Sequence, residues 1–184
     1  SFQDSADEKI TRLEAIRDRL DLIPEATTNP AQPKAEFGND VFVVHGHDDA
    51  AKESAARFVE KLDFRAIILH EQPNAGRTLI EKFEAYSNAG FAVILLTPDD
   101  VGAERARIDQ LTPRARQNVI FELGYFLGKL GRERVCALYK EGVEIPSDYK
   151  GVLYISMDDP GAWRLLLARE MKAIGFQVDL NTVL

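Results

Sequence analysis

Phe91-Ala92-Val93-Ile94-Leu95-Leu96 runs straight into Thr97-Pro98-Asp99-Asp100. Apolar residues in unbroken succession, with no polar residue at alternate positions, describe a strand buried on both faces, and the polar turn formers behind them end it. Four further runs have the same character: Val41 to Val44, Ala66 to Leu69, Val135 to Tyr139 and Val152 to Ile155. A sheet buried on both faces needs helices on both sides. Amphipathic stripes stand where such helices belong, with Ala55, Phe58, Val59 and Leu62 on one, Leu79, Ile80 and Phe83 on another, and Trp163, Leu167, Met171 and Ile174 on the last. The clearest helix is predicted to start with Thr112 as N-cap and Pro113 at the first helical position. It carries Val119, Leu123, Phe126 and Leu130 on one face and stops at Gly131. No helical pattern separates the fourth and fifth runs. The alternation predicts an α/β fold with a five-stranded parallel sheet, helices on both faces, right-handed crossovers and the flavodoxin-like order 2-1-3-4-5.

The chain has 184 residues, 45% of them hydrophobic, which is enough for one domain with a full core and some sequence to spare. The formal net charge of -7 argues against a nucleic-acid or anionic-membrane partner. Any phosphate must therefore be held by local groups. Cys136 is the single cysteine and sits in an apolar run, so it reads as a small buried hydrophobe in a reducing, cytoplasmic compartment. No apolar run is long enough to span a bilayer, and no charged-then-apolar leader opens the chain. A start at Ser1 suggests a fragment of a longer protein with an upstream sensor domain. Leu13, Ile16, Leu20 and Ile23 form a short heptad-like stripe, giving an expected amphipathic helix over residues 1–23. Three prolines mark residues 24–39 as an extended linker, leaving 40–184 as the main domain.

The predicted strand order puts its topological switch between the first and third strands, and a ligand crevice belongs at their carboxyl ends. His45, Gly46, His47 and Asp48 follow the first strand, and Thr97 and Asp99 follow the third. Beside them the second strand leads into His70-Glu71-Gln72-Pro73-Asn74-Ala75-Gly76-Arg77-Thr78. Phosphate loops with Gly-Lys-Ser/Thr, a dinucleotide GxGxxG, a nucleophile elbow and HExxH are all missing from the sequence. His45, His47 and His70 invite a zinc reading, but two of them flank a glycine in a turn and need not converge, so no metal is expected.

On the third helix, Asn118, Glu122, Tyr125 and Lys129 border the apolar stripe. Glu122 should emerge at the rim of the core, partly desolvated, with Asn118 one turn away as a hydrogen-bond partner. The structural alternative is an ordinary rim glutamate paired with Lys129 or an arginine. Arg114 and Arg116 oppose the dipole of a helix that starts at Pro113, which suggests either a docked phosphate or pairing with Glu104 or Asp109.

The succession Val41-Phe42-Val43-Val44-His45-Gly46-His47-Asp48, Glu71 to Thr78, Leu95-Leu96-Thr97-Pro98 and Arg116-Gln117-Asn118-Val119-Ile120-Phe121-Glu122-Leu123-Gly124 resembles the bacterial TIR-like family of predicted nucleotide-binding proteins. The resemblance covers about Asp40 to Phe176, the length of a typical domain. It implies a TIR fold, a role as an effector in cyclic-nucleotide antiphage defence, and cleavage of NAD⁺ as substrate with no cofactor. It further implies that Glu122 is the catalytic carboxylate and that His45, Gly46, His47 and Asp48 contact the nucleotide. Asn74 to Thr78, with Gly76, Arg77 and Thr78, would be the BB loop, which packs on a neighbouring protomer by self-association. Gln117 stands where eukaryotic relatives often carry an aromatic residue, and the first loop lacks their paired basic residues.

A single carboxylate suits that chemistry, because nicotinamide leaves a pyridinium as a neutral molecule and the barrier lies in forming a ribosyl cation. The substrate-binding expectation comprises His45, Gly46, His47, Asp48, Gly76, Arg77, Thr78, Thr97, Asp99, Arg114, Arg116 and Asn118. Other readings are a non-catalytic TIR interaction module and a nucleoside deoxyribosyltransferase-like enzyme. A phosphoacceptor receiver is disfavoured, since Lys140 and Asp158 stand where it needs a hydroxyl and a lysine.

Overall fold

The computed structural model describes residues 38–69, 79–85, 89–146, 151–158 and 160–183. Strands β1 (Asp40–Val44), β2 (Arg65–Ile67), β3 (Phe91–Leu96), β6 (Val135–Tyr139) and β7 (Leu153–Ser156) form one sheet in the order β2-β1-β3-β6-β7. Every pairing in it is parallel. Apart from a small separate hairpin described below, this is the expected five-stranded order. The central strands are buried on both sides because alternate residues feed two cores. Val41 and Val43 of β1 and Phe91, Val93 and Leu95 of β3 point to one core, while Phe42, Val44, Ala92, Ile94 and Leu96 point to the other.

Helices α1 (Asp49–Lys61) and α4 (Ala162–Ala173) cover the first core with Phe58, Trp163, Leu167 and Met171. Helices α2 (Leu79–Ala85) and α3 (Gln117–Leu130) cover the second with Phe83, Val119, Leu123 and Phe126. Asp48 starts α1 by accepting a 2.9 Å bond from the Ala51 amide, satisfying one of the helix's orphan donors. Gly131 ends α3 at φ 81°, a left-handed backbone value that glycine adopts without strain. Cys136 is fully buried, and burial pushes its thiol up, with Glu170 adding to the shift.

Three expectations are corrected. The second strand runs over Arg65–Ile67 rather than on to Leu69, and the fifth over Leu153–Ser156 rather than from Val152. The third helix does not begin at Thr112 and Pro113. Those residues and Arg114 form strand β5 (Thr112–Arg114), antiparallel to β4 (Asp100–Gly102) in a separate two-stranded sheet. The Thr112 hydroxyl shares its one proton between the Gly102 carbonyl (3.1 Å) and Glu144 Oε2 (2.9 Å) and caps no helix. Pro113 is tolerated because this short strand lies at an edge, and its carbonyl accepts from the Glu144 amide at 2.7 Å. Helix α3 therefore starts at Gln117, with Arg116 as an N-cap that offers no side-chain bond.

The expectations for the amino-terminal helix, for the linker as far as residue 37, and for His70 to Thr78, including Gly76, Arg77 and Thr78, lie outside the described residues. Among the described residues no helix is long and apolar enough to cross a membrane.

Candidate functional site

In a parallel α/β sheet the helices run back against the strands, so the first turns of α3 stand at the carboxyl edge, where β1 and β3 deliver their loops. Gly46 makes the meeting of those loops tight. A Cβ at this position would lie 1.8 Å from Asp99 Oδ2, so the absence of a side chain at Gly46 makes room for the Asp99 carboxylate. Asp99 is held from its own side by the Thr97 hydroxyl, which donates at 2.7 Å from a buried position. His45 donates from Nδ1 to the Gly46 carbonyl at 2.8 Å, because a carbonyl can only accept.

The next two residues tie this loop to its surroundings. Arg116 Nη1 lies 2.6 Å from His47 Nε2, and a guanidinium can only donate. Nε2 of His47 is therefore the acceptor in this contact. Asp48 meets Lys140 Nζ at 2.7 Å. Burial pushes the Asp48 carboxyl up, but the Lys140 ammonium and the amides of Ala51 and Ala50 outweigh it, and the net shift is downward.

Lys140 is the residue that sequence reasoning missed. It is the first residue beyond β6, the strand next to β3, and its amide bonds the Leu96 carbonyl at 3.0 Å. The strand order alone brings it to the crevice, so its place just past an apolar run was the available signal. The Asp48 carboxylate and the His47 ring are thus committed to protein partners, and among the described residues no cluster of three metal-ligating side chains occurs.

Glu122 lies on α3 and is only 5% exposed. Helical spacing puts it on the flank shared with Tyr125, which stacks on Phe83 of α2 at 4.4 Å between ring centroids. Loss of water pushes its carboxyl up from the ordinary 4.5 to about 7. Among the described residues no hydrogen bond or ion pair with it is found, neither from Asn118, which is exposed, nor from Lys129. The ordinary rim pairing therefore does not describe this glutamate. It lies six residues beyond Arg116, which is about 9 Å along the axis from the end that touches the His47 loop.

The other predicted residues divide clearly. Gly46, His47, Asp48, Thr97, Asp99 and Arg116 come together with Lys140 at the crevice. Arg114 goes elsewhere. It sits in β5 rather than in a helical turn, and its guanidinium pairs with Glu144 at 3.3 Å, not with Glu104 or Asp109. Arg116 likewise takes His47 rather than either of those acids.

A doubly covered parallel sheet in this order, with a desolvated carboxylate on the helix after its central strand, is consistent with a domain of the TIR type. The chain belongs to the family described as CAP12/Pycsar effector protein, TIR domain, whose model matches residues 40–159. It is similar to the uncharacterized protein YuaY of Escherichia coli strain K12, with 48% identity over 145 residues, covering 78% of this chain and 48% of that protein. Similarity extends to protein tirC of Dictyostelium discoideum, 34% identical over 128 residues and covering 63% of each chain. Pycsar effector protein BcPycTIR of Burkholderia cepacia is 40% identical over 83 residues, which are 44% of this chain and 26% of that one. The chain thus spans about half the length of YuaY and less than two thirds of tirC.

Proposed function

We propose that this TIR domain is an NAD⁺ glycohydrolase that cleaves the bond between nicotinamide and ribose, with Glu122 as its catalytic carboxylate. The observation that carries the reading is the burial of Glu122 without a counter-charge among the described residues, in a family named for effectors. A carboxylate that folding has desolvated and left unneutralised keeps its field for a ligand, and that field acts more strongly in a water-poor site than in bulk solvent. The pyridinium of bound NAD⁺ favours the ionised form of Glu122. As the glycosidic bond lengthens, positive charge moves from the pyridinium onto the ribose, and a fixed anion beside the sugar stabilises the oxocarbenium ion. Nicotinamide departs neutral and needs no acid. The same carboxylate then orients water for attack at the anomeric carbon, or an internal nucleophile closes a cyclised ADP-ribose.

At the strand ends, His47, Asp48, Asp99, Arg116 and Lys140 would exchange their present contacts with one another and with Thr97 for polar contacts with the nucleotide. The wider setting belongs to the same proposal: self-association through Asn74 to Thr78, an upstream sensor responding to a cyclic nucleotide, and a cytoplasmic role in antiphage defence. Release of nicotinamide from NAD⁺ by the concentrated domain, measured beside Glu122→Ala, tests the chemistry. Equal release by the two proteins would remove Glu122 from its role.

A further inference from the structure

A concave site lies away from Glu122. It has a volume of about 300 Å³ and is lined by Arg114, Ala115, Gln117, Ile120, Glu144 and Pro146. Ile120 and Glu122 are two residues apart on α3, which turns them roughly 160° from each other, so the pocket and the proposed catalytic carboxylate occupy opposite flanks.

Its rim is fixed before any ligand arrives. The Arg114 guanidinium lies so close to Gly102 that a Cβ there would fall 2.1 Å from Cζ. Glu144 Oε2 is held by Arg114 at 3.3 Å and by the Thr112 hydroxyl at 2.9 Å, while the Glu144 amide bonds the Pro113 carbonyl at 2.7 Å. Arg114 Nε is buried and has no hydrogen-bond partner among the described residues.

The charges and walls select the chemistry. Because Glu144 balances Arg114, an anion approaching the guanidinium would also face a carboxylate. Ile120, Ala115 and Pro146 give apolar surface, and the Gln117 amide offers a donor and an acceptor together. The volume stands at the lower end of ligand-sized cavities, about 300–1,000 Å³, and suits a ring system rather than a dinucleotide. We propose that this pocket binds a neutral planar nitrogen heterocycle with an amide-like donor and acceptor edge, a chemistry shared by pyridine carboxamides and nucleobases.

Titration of the ¹⁵N-labelled chain with nicotinamide and, separately, adenosine tests this, with benzoate and inorganic phosphate as charged probes. The expected result is saturable shifts at Ala115, Gln117, Ile120 and Glu144 with a Kd on the order of 1 mM for at least one neutral probe, as befits so small a ligand. Binding of nicotinamide alone identifies a carboxamide site, and binding of adenosine alone a nucleobase site. Ile120→Trp, which fills the cavity, should abolish the shifts. Gln117→Ala, an exposed change that leaves the core intact, should weaken binding at least about fivefold by deleting the amide edge. Glu122→Ala should retain binding whether or not it cleaves NAD⁺, which separates this proposal from the catalytic one. No saturable shift with either neutral probe would overturn it, as would tighter binding of benzoate or phosphate. Unchanged binding in Gln117→Ala, or loss of binding in Glu122→Ala, would do the same.

Discussion

Two glutamates beside one helix have opposite circumstances. The Glu144 carboxylate is exposed and engaged by Arg114 and Thr112, so its charge is met within the protein. Glu122, on the far flank of α3, is buried, and among the described residues nothing neutralises it. The first is what folding does with a carboxylate when structure is all that is asked of it. The second is unfavourable for folding, and groups perturbed in this way cluster at functional sites.

The sharpest way to break this contrast is chemical. Glu122→Ala should lower NAD⁺ cleavage at least about a hundredfold, the usual loss when one pre-organised electrostatic group is deleted, with far-ultraviolet dichroism unchanged. Titration comes next. If the ionised carboxylate is the working form, kcat/KM should rise with pH and level off above an inflection near 7, the value to which desolvation pushes Glu122. An acid limb at 4 to 5, the range of an ordinary carboxylate, would contradict the burial.

Stability should show the same asymmetry with its own sign. The folded-state value of Glu122 lies above the unfolded one, so folding is unhindered below about 4.5, where both states hold the proton. Between 4.5 and about 7 the unfolded chain has lost that proton while the fold retains it, and stability falls by up to roughly 3 kcal/mol. Glu122→Gln should therefore be more stable than the parent at pH 8 by a few kcal/mol and indistinguishable from it at pH 4, as read by denaturant titration. Gly46→Ala should cost about 1–3 kcal/mol, because the new methyl has no room against Asp99. At the small end, Glu144→Gln should cost no more than about 1 kcal/mol, since its pair with Arg114 is solvent-exposed. A larger loss there would mean that the exposed pair matters more to the fold than its surroundings suggest.

The sequence is legible where burial is two-sided. Val41 to Val44, Phe91 to Leu96 and Val135 to Tyr139 read as strands in the middle of a covered sheet, and the structure puts them there. Glu122 is legible too, because a carboxylate bordering the stripe of Val119, Leu123 and Phe126 must be partly desolvated. The stretch from Asp100 to Arg114 is not. Its strands are three residues long and mostly exposed, so no hydrophobic period reports them. Thr112-Pro113 imitates a helix start, because the extended backbone favoured before proline serves an N-cap and a strand equally well. Only the long-range bonds from Thr112 to Gly102 and Glu144 choose between the two. Lys140 escaped for a related reason, since its partner Asp48 is ninety-two positions away and no local pattern announces a pair so distant.

The contact between Gly46 and Asp99 has one more consequence. Segments leaving two different strands are locked there like the teeth of a zip, with Thr97 pinning one side and the His45 ring bracing the other. Neither can be re-sculpted alone, so an alteration made in one should be inherited by its neighbour as though the two were a single part.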